Sequence, residues 1–271
     1  MGGRLSPFDA FRYIGKTQGR ISPLRSSQRP FNSIRLRYML IEDAIVALQI
    51  HEIPGKAAEM RTYHKVERAY WGLGNPVLED QARLWRQELP LEERLQLASD
   101  LWNSNAYEAR ICASKLLTQA RIRPEDASAW KLIKSWIPDL DSSGISNHLC
   151  VAGQRRLNFD PSRIQEVESW TRSTHVWTRR AALMITLPWT KHRNPKPLNL
   201  AIREQVLGWI ASYTDDQDTL IQRSVAWWLS ELSRKDPERV RVFMTEHGHK
   251  MRNFARKDAG RLLPVEPATA K

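Results

Sequence analysis

The chain has 271 residues, with 42 lysines and arginines against 30 aspartates and glutamates, and its formal net charge is +12. Hydrophobic residues make up 41% of the sequence, which is enough for a sizeable core and argues against a wholly disordered chain. No uninterrupted apolar segment approaches the roughly 18 residues that a membrane span needs. The two cysteines, Cys112 and Cys150, lack zinc-knuckle spacing and are too few for a disulfide framework, so a reducing compartment is expected.

The positive charge is concentrated at the two ends of the chain. Residues 1–38 contain eight basic residues and one acidic residue, and residues 250–271 contain six basic and two acidic residues. The region between them is nearly neutral. If that region binds a polyanion, it must segregate its charges between faces.

Residues 1–38 are rich in Arg, Ser and Gly and show no sustained helical period, which is typical of a mobile basic arm. The same composition overlaps with that of organellar transit peptides, and a third interpretation is that translation begins at Met39. We predict one domain over residues 39–262, followed by a tail over 263–271.

From Leu40 onward the pattern predicts about a dozen helices with short connections. Apolar residues recur at intervals of three and four, and no segment shows the strict alternation of a half-buried strand. Prolines 76, 124, 161 and 237 are predicted to mark helix starts, because a missing N–H costs nothing at the first helical position. The spacing of these starts favours an all-α fold, an α-solenoid of degenerate HEAT-like helical pairs.

The segment Ser135–Asp141, SWIPDLD, places two carboxylates at a junction between helices. Pro138 should end the preceding helix and leave Asp139 and Asp141 ahead of the next one. One of them would ordinarily cap that helix. A carboxylate at such a junction could instead face a cationic substrate, and the local pattern leaves both interpretations open.

The segment Trp177-Thr178-Arg179-Arg180, preceded by Ser173 as a plausible cap, carries two adjacent arginines. Both cannot follow the apolar stripe of a helix, and Trp177 lies one turn before Arg180, where its ring can brace the guanidinium. A pair of arginines beside an aromatic ring suits a phosphate clamp. A solvated charged face is the alternative.

The helix predicted over Ile221–Arg234 carries two adjacent tryptophans with different environments. Trp228 belongs to a core stripe at helical spacing with Ile221, Val225 and Leu232. Trp227 lies about 100° around the helix, on the polar side with Arg223. Trp227 therefore serves either in packing between repeats or in contact with a ligand.

Signatures of common enzyme classes are absent from the sequence. There is no GxGxxG, P-loop, GxSxG or HExxH motif, and the seven histidines show no metal-ligand spacing. We expect neither a metal nor a cofactor. The remaining catalytic chemistry would depend on carboxylates on a helical scaffold.

Taken in order, these segments resemble the AlkD-type DNA alkylation repair family, whose members are HEAT-like-repeat glycosylases acting on alkylpurines in duplex DNA. The resemblance covers about 215 residues from Met39, and its motifs are individually weak but strong as an ordered set. They are Ala57-Ala58-Glu59-Met60, Tyr63-His64-Lys65, Tyr70–Pro76, Glu108-Ala109-Arg110, Ser135–Asp141, Trp177–Ala182, Ile221–Lys235 and Phe254-Ala255-Arg256-Lys257.

The resemblance implies a stack of helical pairs that holds duplex DNA and releases cationic N3- or N7-alkylated purines without base flipping. Asp141 matches the family's catalytic aspartate, and Trp227 matches an aromatic residue that contacts the deoxyribose of the lesion. The positions expected to bind DNA are Trp136, Arg179, Arg180, Arg223 and Lys257. We expect a monomer that binds alkylated double-stranded DNA, without membrane association, in the nucleoid-containing cytoplasm of a bacterium.

Two positions depart from the family pattern. Ile137 stands where a second active-site tryptophan is common, and Ser230 stands where a basic residue is common. These departures keep open a non-catalytic binder of damaged or branched DNA. A helical-repeat scaffold for a protein partner, with Trp227 as an interface anchor, is a further alternative.

Overall fold

The computed structural model describes residues 39–263, so the predicted arm over 1–38 and nearly all of the predicted tail lie outside the described residues. Within that range the regular structure consists of thirteen α-helices and four short 3-10 turns, which confirms the all-α prediction. The helices are α1 Ile41–Gln49, α2 Pro54–His64, α3 Asn75–Glu88, α4 Leu91–Asn103, α5 Tyr107–Leu116, α6 Ala127–Trp136, α7 Ser143–Phe159, α8 Ile164–Trp170, α9 Val176–Met184, α10 Pro197–Ser212, α11 Thr219–Ser233, α12 Pro237–His247 and α13 Asn253–Gly260.

The odd-numbered helices from α3 to α13 form a continuous row. Each of them packs against the next: α3 on α5, α5 on α7, α7 on α9, α9 on α11, and α11 on α13. The even-numbered helices α4, α6, α8 and α12 pack against members of this row. Contacts between next-but-one helices are the pattern of stacked helical pairs, since each pair buries its apolar face on its neighbours.

Helix α11 shows how the apolar period produces this packing. Its predicted core stripe is fully buried, with Ile221, Val225, Trp228 and Leu232 each at 0% exposure. The indole Nε1 of Trp228 donates a hydrogen bond to Thr186 Oγ1 at 3.2 Å. Trp228 is therefore a core residue, as the sequence predicted.

Two of the proline-marked helix starts are found in the predicted places. Pro237 is the first residue of α12, and the preceding Asp236 side chain accepts a hydrogen bond from the N–H of Arg239 at 3.2 Å. Pro76 lies in the first turn of α3. Pro161 begins a 3-10 turn rather than an α-helix.

The start predicted at Pro124 is wrong, because α6 begins at Ala127. Asp126 makes no capping hydrogen bond, since its buried carboxylate accepts two hydrogen bonds from Arg163, at 2.6 and 3.1 Å. Arg156 also pairs with it at 3.2 Å. A buried charge needs oppositely charged partners, and this requirement takes the side chain away from the helix end.

None of the helices in the described range is both long and apolar enough to cross a membrane.

The two tryptophans of α11 should differ sharply in their contribution to stability. Replacing Trp228 by alanine removes a fully buried ring and should lower the free energy of unfolding by about 3–5 kcal/mol. Trp227 is only partly buried, so Trp227→Ala should cost less than half as much. Urea denaturation of both variants measures the difference, and equal losses would contradict this assignment of core and surface.

Candidate functional site

Asp141 lies immediately before α7 and forms an ion pair with a buried arginine. Its Oδ2 accepts a hydrogen bond from Nη2 of Arg68, which lies in the segment between α2 and α3. The Arg68 side chain is 2% exposed, whereas the Asp141 side chain is 34% exposed. The other oxygen, Oδ1, is buried and makes no hydrogen bond with the described residues. The Asp141 side chain is thus one-third exposed, while the oxygen that Arg68 leaves free is covered by protein.

Neither aspartate of the 135–141 segment caps α7. The N-cap residue is Ser142, and no side-chain capping bond is present. Asp139 ends a 3-10 turn over Ile137–Asp139 and accepts a hydrogen bond from the Trp102 indole at 3.0 Å. Both carboxylates have other partners, so the capping interpretation is wrong.

Glu108 holds the loop that carries Arg68. Its buried carboxylate accepts hydrogen bonds from three consecutive backbone N–H groups, those of Trp71 at 3.1 Å, Gly72 at 2.8 Å and Leu73 at 3.2 Å. Burial raises the pKa of Glu108, and the three backbone donors act in the opposite direction. The N–H of Tyr107 also binds the Ala69 carbonyl at 3.0 Å, so the loop is attached to α5 on both sides of Tyr70.

The turn at Gly72 requires glycine. Its φ is +72°, and a Cβ atom there would lie 2.6 Å from the Ile53 carbonyl oxygen and 2.7 Å from the Ala57 nitrogen. Such contacts with backbone atoms cannot be relieved by rotating a side chain. The loop can therefore approach α2 and Glu108 only with glycine at this position.

Three rings pack together beside the ion pair. The centroids of His64 and Tyr107 are 4.5 Å apart, and Tyr70 lies 5.5 Å from Tyr107. Burial lowers the pKa of His64, as does the charge of Arg68, and burial raises the pKa of Tyr107 to about 12. The rings are therefore uncharged near neutral pH. Tyr63, which is 80% exposed, contacts His64 edge-on and extends the group towards solvent.

Trp136 is the last residue of α6 and directly precedes the segment that leads to Asp141. It is 3% exposed and stacks on Trp102 at 4.5 Å. Arg110 lies over the other ring of this pair, 4.8 Å from the Trp102 centroid, and donates to the Asp139 carbonyl at 3.3 Å. In this arrangement Trp136 supports the 137–141 segment from the core, and Ile137 is buried with it.

The two adjacent arginines of α9 have different environments. Arg180 is 4% exposed, donates to Ser146 Oγ and Asn147 Oδ1 at 2.6 Å each, and lies 5.8 Å from the Trp177 ring. It therefore joins α9 to α7. Arg179 is partly exposed; it binds the Ser173 carbonyl at 3.0 Å and pairs with an aspartate of the 213–218 loop. Ser173 precedes the actual N-cap residue of α9 by two positions.

The remaining predicted residues lie on α11 and α13. Arg223 is exposed and Trp227 is half-buried, one turn apart on the solvent side of α11, and Lys257 is exposed on α13. Helix α9 packs against both α11 and the 3-10 turn at Ile137–Asp139, so it connects the helix that carries Trp227 with the segment that leads to Asp141.

Sequence reasoning missed Arg68 and assigned no role to Glu108 or His64. Arg68 belongs to a short polar segment without a motif, and an acid in the first turn of a helix normally indicates only a favourable interaction with the helix dipole. The one usable signal was Glu108, a charged residue close to the apolar residues Ala109, Ile111 and Cys112 of α5. Among the described residues, no group of three or more His, Cys, Asp and Glu side chains is placed to hold a metal ion.

Comparisons with known proteins agree with this fold. The family model described as DNA alkylation repair enzyme matches residues 44–263, while no curated protein matches the chain. A predicted DNA alkylation repair enzyme from Enterococcus faecalis is 17% identical, with a TM-score of 0.66 over 81% of this chain and 98% of that chain. AlkD2 from Streptococcus mutans is also 17% identical, with a TM-score of 0.59 over 83% and 100%. At this identity the structural likeness shows the fold.

The Glu108 hydrogen bonds should have a measurable effect on stability. Glu108→Ala leaves three buried N–H groups without their acceptor and should lower the free energy of unfolding by at least about 3 kcal/mol. Glu108→Gln keeps an acceptor oxygen in place and should cost about 1 kcal/mol. Thermal and urea unfolding measure both, and a glutamine variant as unstable as the alanine variant would contradict the account of this loop.

Proposed function

The chain belongs to the DNA alkylation repair enzyme family, and on that premise we propose that it is a DNA glycosylase. Its substrates are cationic N3- and N7-alkylated purines in duplex DNA, and the reaction hydrolyses the N-glycosidic bond. The observation that carries the proposal is Asp141, whose side chain is one-third exposed at a helix junction and is held by a buried arginine.

Asp141 acts by stabilising positive charge on the sugar. A purine alkylated at N3 or N7 is already cationic, so it leaves readily and needs little acid assistance. As it leaves, positive charge develops on the deoxyribose, and a fixed carboxylate nearby stabilises that charge without having to reorganise. The same carboxylate can orient the water that attacks the sugar.

Arg68 gives the carboxylate its fixed position. Its guanidinium engages Oδ2 only, and its backbone lies in the loop attached to Glu108. The arginine charge also offsets part of the field of Asp141, which reduces its repulsion of DNA phosphates. The cost is a weaker attraction for the cationic sugar, so the site depends on close contact.

Aromatic side chains supply further contacts with the cation. Trp227 is proposed to place its ring face against the deoxyribose, as the family resemblance implies. The rings of Tyr63, His64 and Tyr70 lie on the Arg68 side of Asp141. In this proposal they compensate for Ile137, which replaces the second tryptophan of the family pattern. In this proposal the lesion stays in the duplex, and the protein needs no pocket for a flipped base.

Affinity comes from contacts with phosphates. Arg223 and Lys257 are exposed and Arg179 partly so, and these side chains are proposed to bind the DNA backbone. Arg180 and Trp136 are buried. In this proposal Arg180 holds Asn147 in place, and Trp136 supports the 137–141 segment. The protein is proposed to act as a monomer.

A non-catalytic binder of damaged or branched DNA is the second candidate. Two observations favour it: the arginine that offsets the charge of Asp141, and the buried aliphatic Ile137 in the place of an aromatic residue. Such a protein would use the same phosphate contacts but release no base. A scaffold for a protein partner would show no salt-dependent binding to DNA.

Asp141→Asn distinguishes these functions. The variant keeps the size of the side chain but loses its charge, so release of N7-methylguanine from methylated duplex DNA should fall by about 100-fold or more. Binding to the same duplex should stay close to that of the wild type. Single-turnover release and fluorescence anisotropy measure the two quantities.

Asp139→Asn is the matched control, because this carboxylate lies two residues away and accepts from the Trp102 indole instead of a cation. Release should remain near the wild-type rate in this variant. Equal losses in both variants would indicate damage to the segment rather than a catalytic role. An inactive wild type that still binds DNA would support the non-catalytic binder.

A further inference from the structure

A basic surface lies at the end of α7 that is distant from Asp141. An open cleft of about 1060 Å³ is lined there by Arg121, Arg123 and Arg155, together with Phe159. All three arginines are exposed, and Phe159 is 58% exposed. No carboxylate lines this cleft. Exposed positive charge and an exposed ring thus occur together, at residues to which the sequence pattern assigned no role.

The charges of these three arginines are not neutralised within the described part of the chain. None of them makes a hydrogen bond or an ion pair there, although the buried Arg156 and Arg163 nearby both pair with Asp126. A basic side chain near a helix C-terminus is favoured by the helix dipole, which accounts for Arg155. Arg121 and Arg123 lie in the connection between α5 and α6, where that explanation does not apply.

Partly or fully exposed residues of α7 lie between the candidate active site and the cleft. Asn147, Val151 and Arg155 follow one another at four-residue intervals, and all three are at least partly exposed. Asn147 binds Arg180 near the beginning of the helix. At about 1.5 Å of rise per residue, Arg155 lies roughly 20 Å from Asp141 along the helix axis. This exceeds the width of about 12 Å of the DNA major groove, so the two ends must meet different parts of a duplex.

We propose that Arg121, Arg123 and Arg155 form a second binding site for the phosphate backbone of duplex DNA. The proposal rests on the proposed function for the identity of the duplex, which is the one whose lesion lies at Asp141. The guanidinium fork suits phosphate oxygens, and charge complementarity supports a polyanion as the occupant. Phe159 covers the sugar edge of the bound strand. The contact is independent of sequence, because it reaches no base edge.

The salt dependence of binding to an undamaged duplex tests this site without requiring catalysis. Each lost phosphate contact should reduce the slope of log K against log salt by about 0.9. Arg155→Ala should therefore flatten the slope by about one, and the triple alanine variant by about two to three. The triple variant should bind about 10- to 100-fold more weakly at low salt.

Two controls make the outcome specific. Arg83→Ala removes an exposed arginine of α3 that pairs with Asp80, and it should leave the slope unchanged. A triple lysine variant at positions 121, 123 and 155 keeps the charge and should retain most of the slope. Circular dichroism and melting temperatures verify that each variant is folded.

The outcome separates this proposal from the glycosylase proposal. If the triple alanine variant binds DNA with the wild-type slope of log K against log salt, the second site is overturned, whether or not base release is normal. A wild type that releases no base would count against the glycosylase but would leave the slope comparison valid. With an active wild type, the triple variant should release base at the normal rate once it is saturated with DNA.

Discussion

The structure depends on one buried carboxylate. Glu108 receives three consecutive backbone N–H groups and thereby fixes the loop between α2 and α3 against α5. That loop carries Arg68, and Arg68 in turn holds Asp141. A buried acid without such donors would be too costly to retain, and a loop without such an acceptor would leave its own N–H groups unpaired. The position of the candidate catalytic group is therefore set through Arg68, which lies 73 residues away in the sequence.

The electrostatics of the site follow from this arrangement. Asp141 is balanced by Arg68, and the neighbouring rings of His64, Tyr70 and Tyr107 are uncharged. A balanced site suits a ligand that brings charges of both signs, with phosphates along the backbone and a cation at the lesion. In the proposed function, attraction for the cation is short-ranged, while attraction for the backbone comes from arginines and lysines elsewhere. Such a division would let the protein scan DNA without being trapped at every phosphate.

Local periodicity was sufficient to predict the helices and the core, because burial follows the period of the helix. The stripe that contains Trp228 and the partial exposure of Trp227 both follow from spacing within a single helix. The partners of individual polar side chains could not be predicted from this periodicity. The Asp126 side chain binds Arg163, 37 residues away, instead of capping a helix. Asp141 pairs with Arg68, which is 73 residues away in the sequence. Arg180 pairs with residues of another helix rather than with solvent. Such partners are set by the stacking of helices, which no local pattern encodes.

In the proposed mechanism, a fixed carboxylate promotes the release of purines whose own positive charge has already weakened the bond to the sugar. The most direct measurement compares single-turnover release of two lesions from otherwise identical duplexes: N7-methylguanine, which is cationic, and O6-methylguanine, which is neutral. We expect release of free N7-methylguanine, an abasic site in its place, and no release of the neutral base. Equal release of both bases, or release of neither by a protein that binds both duplexes, would contradict it.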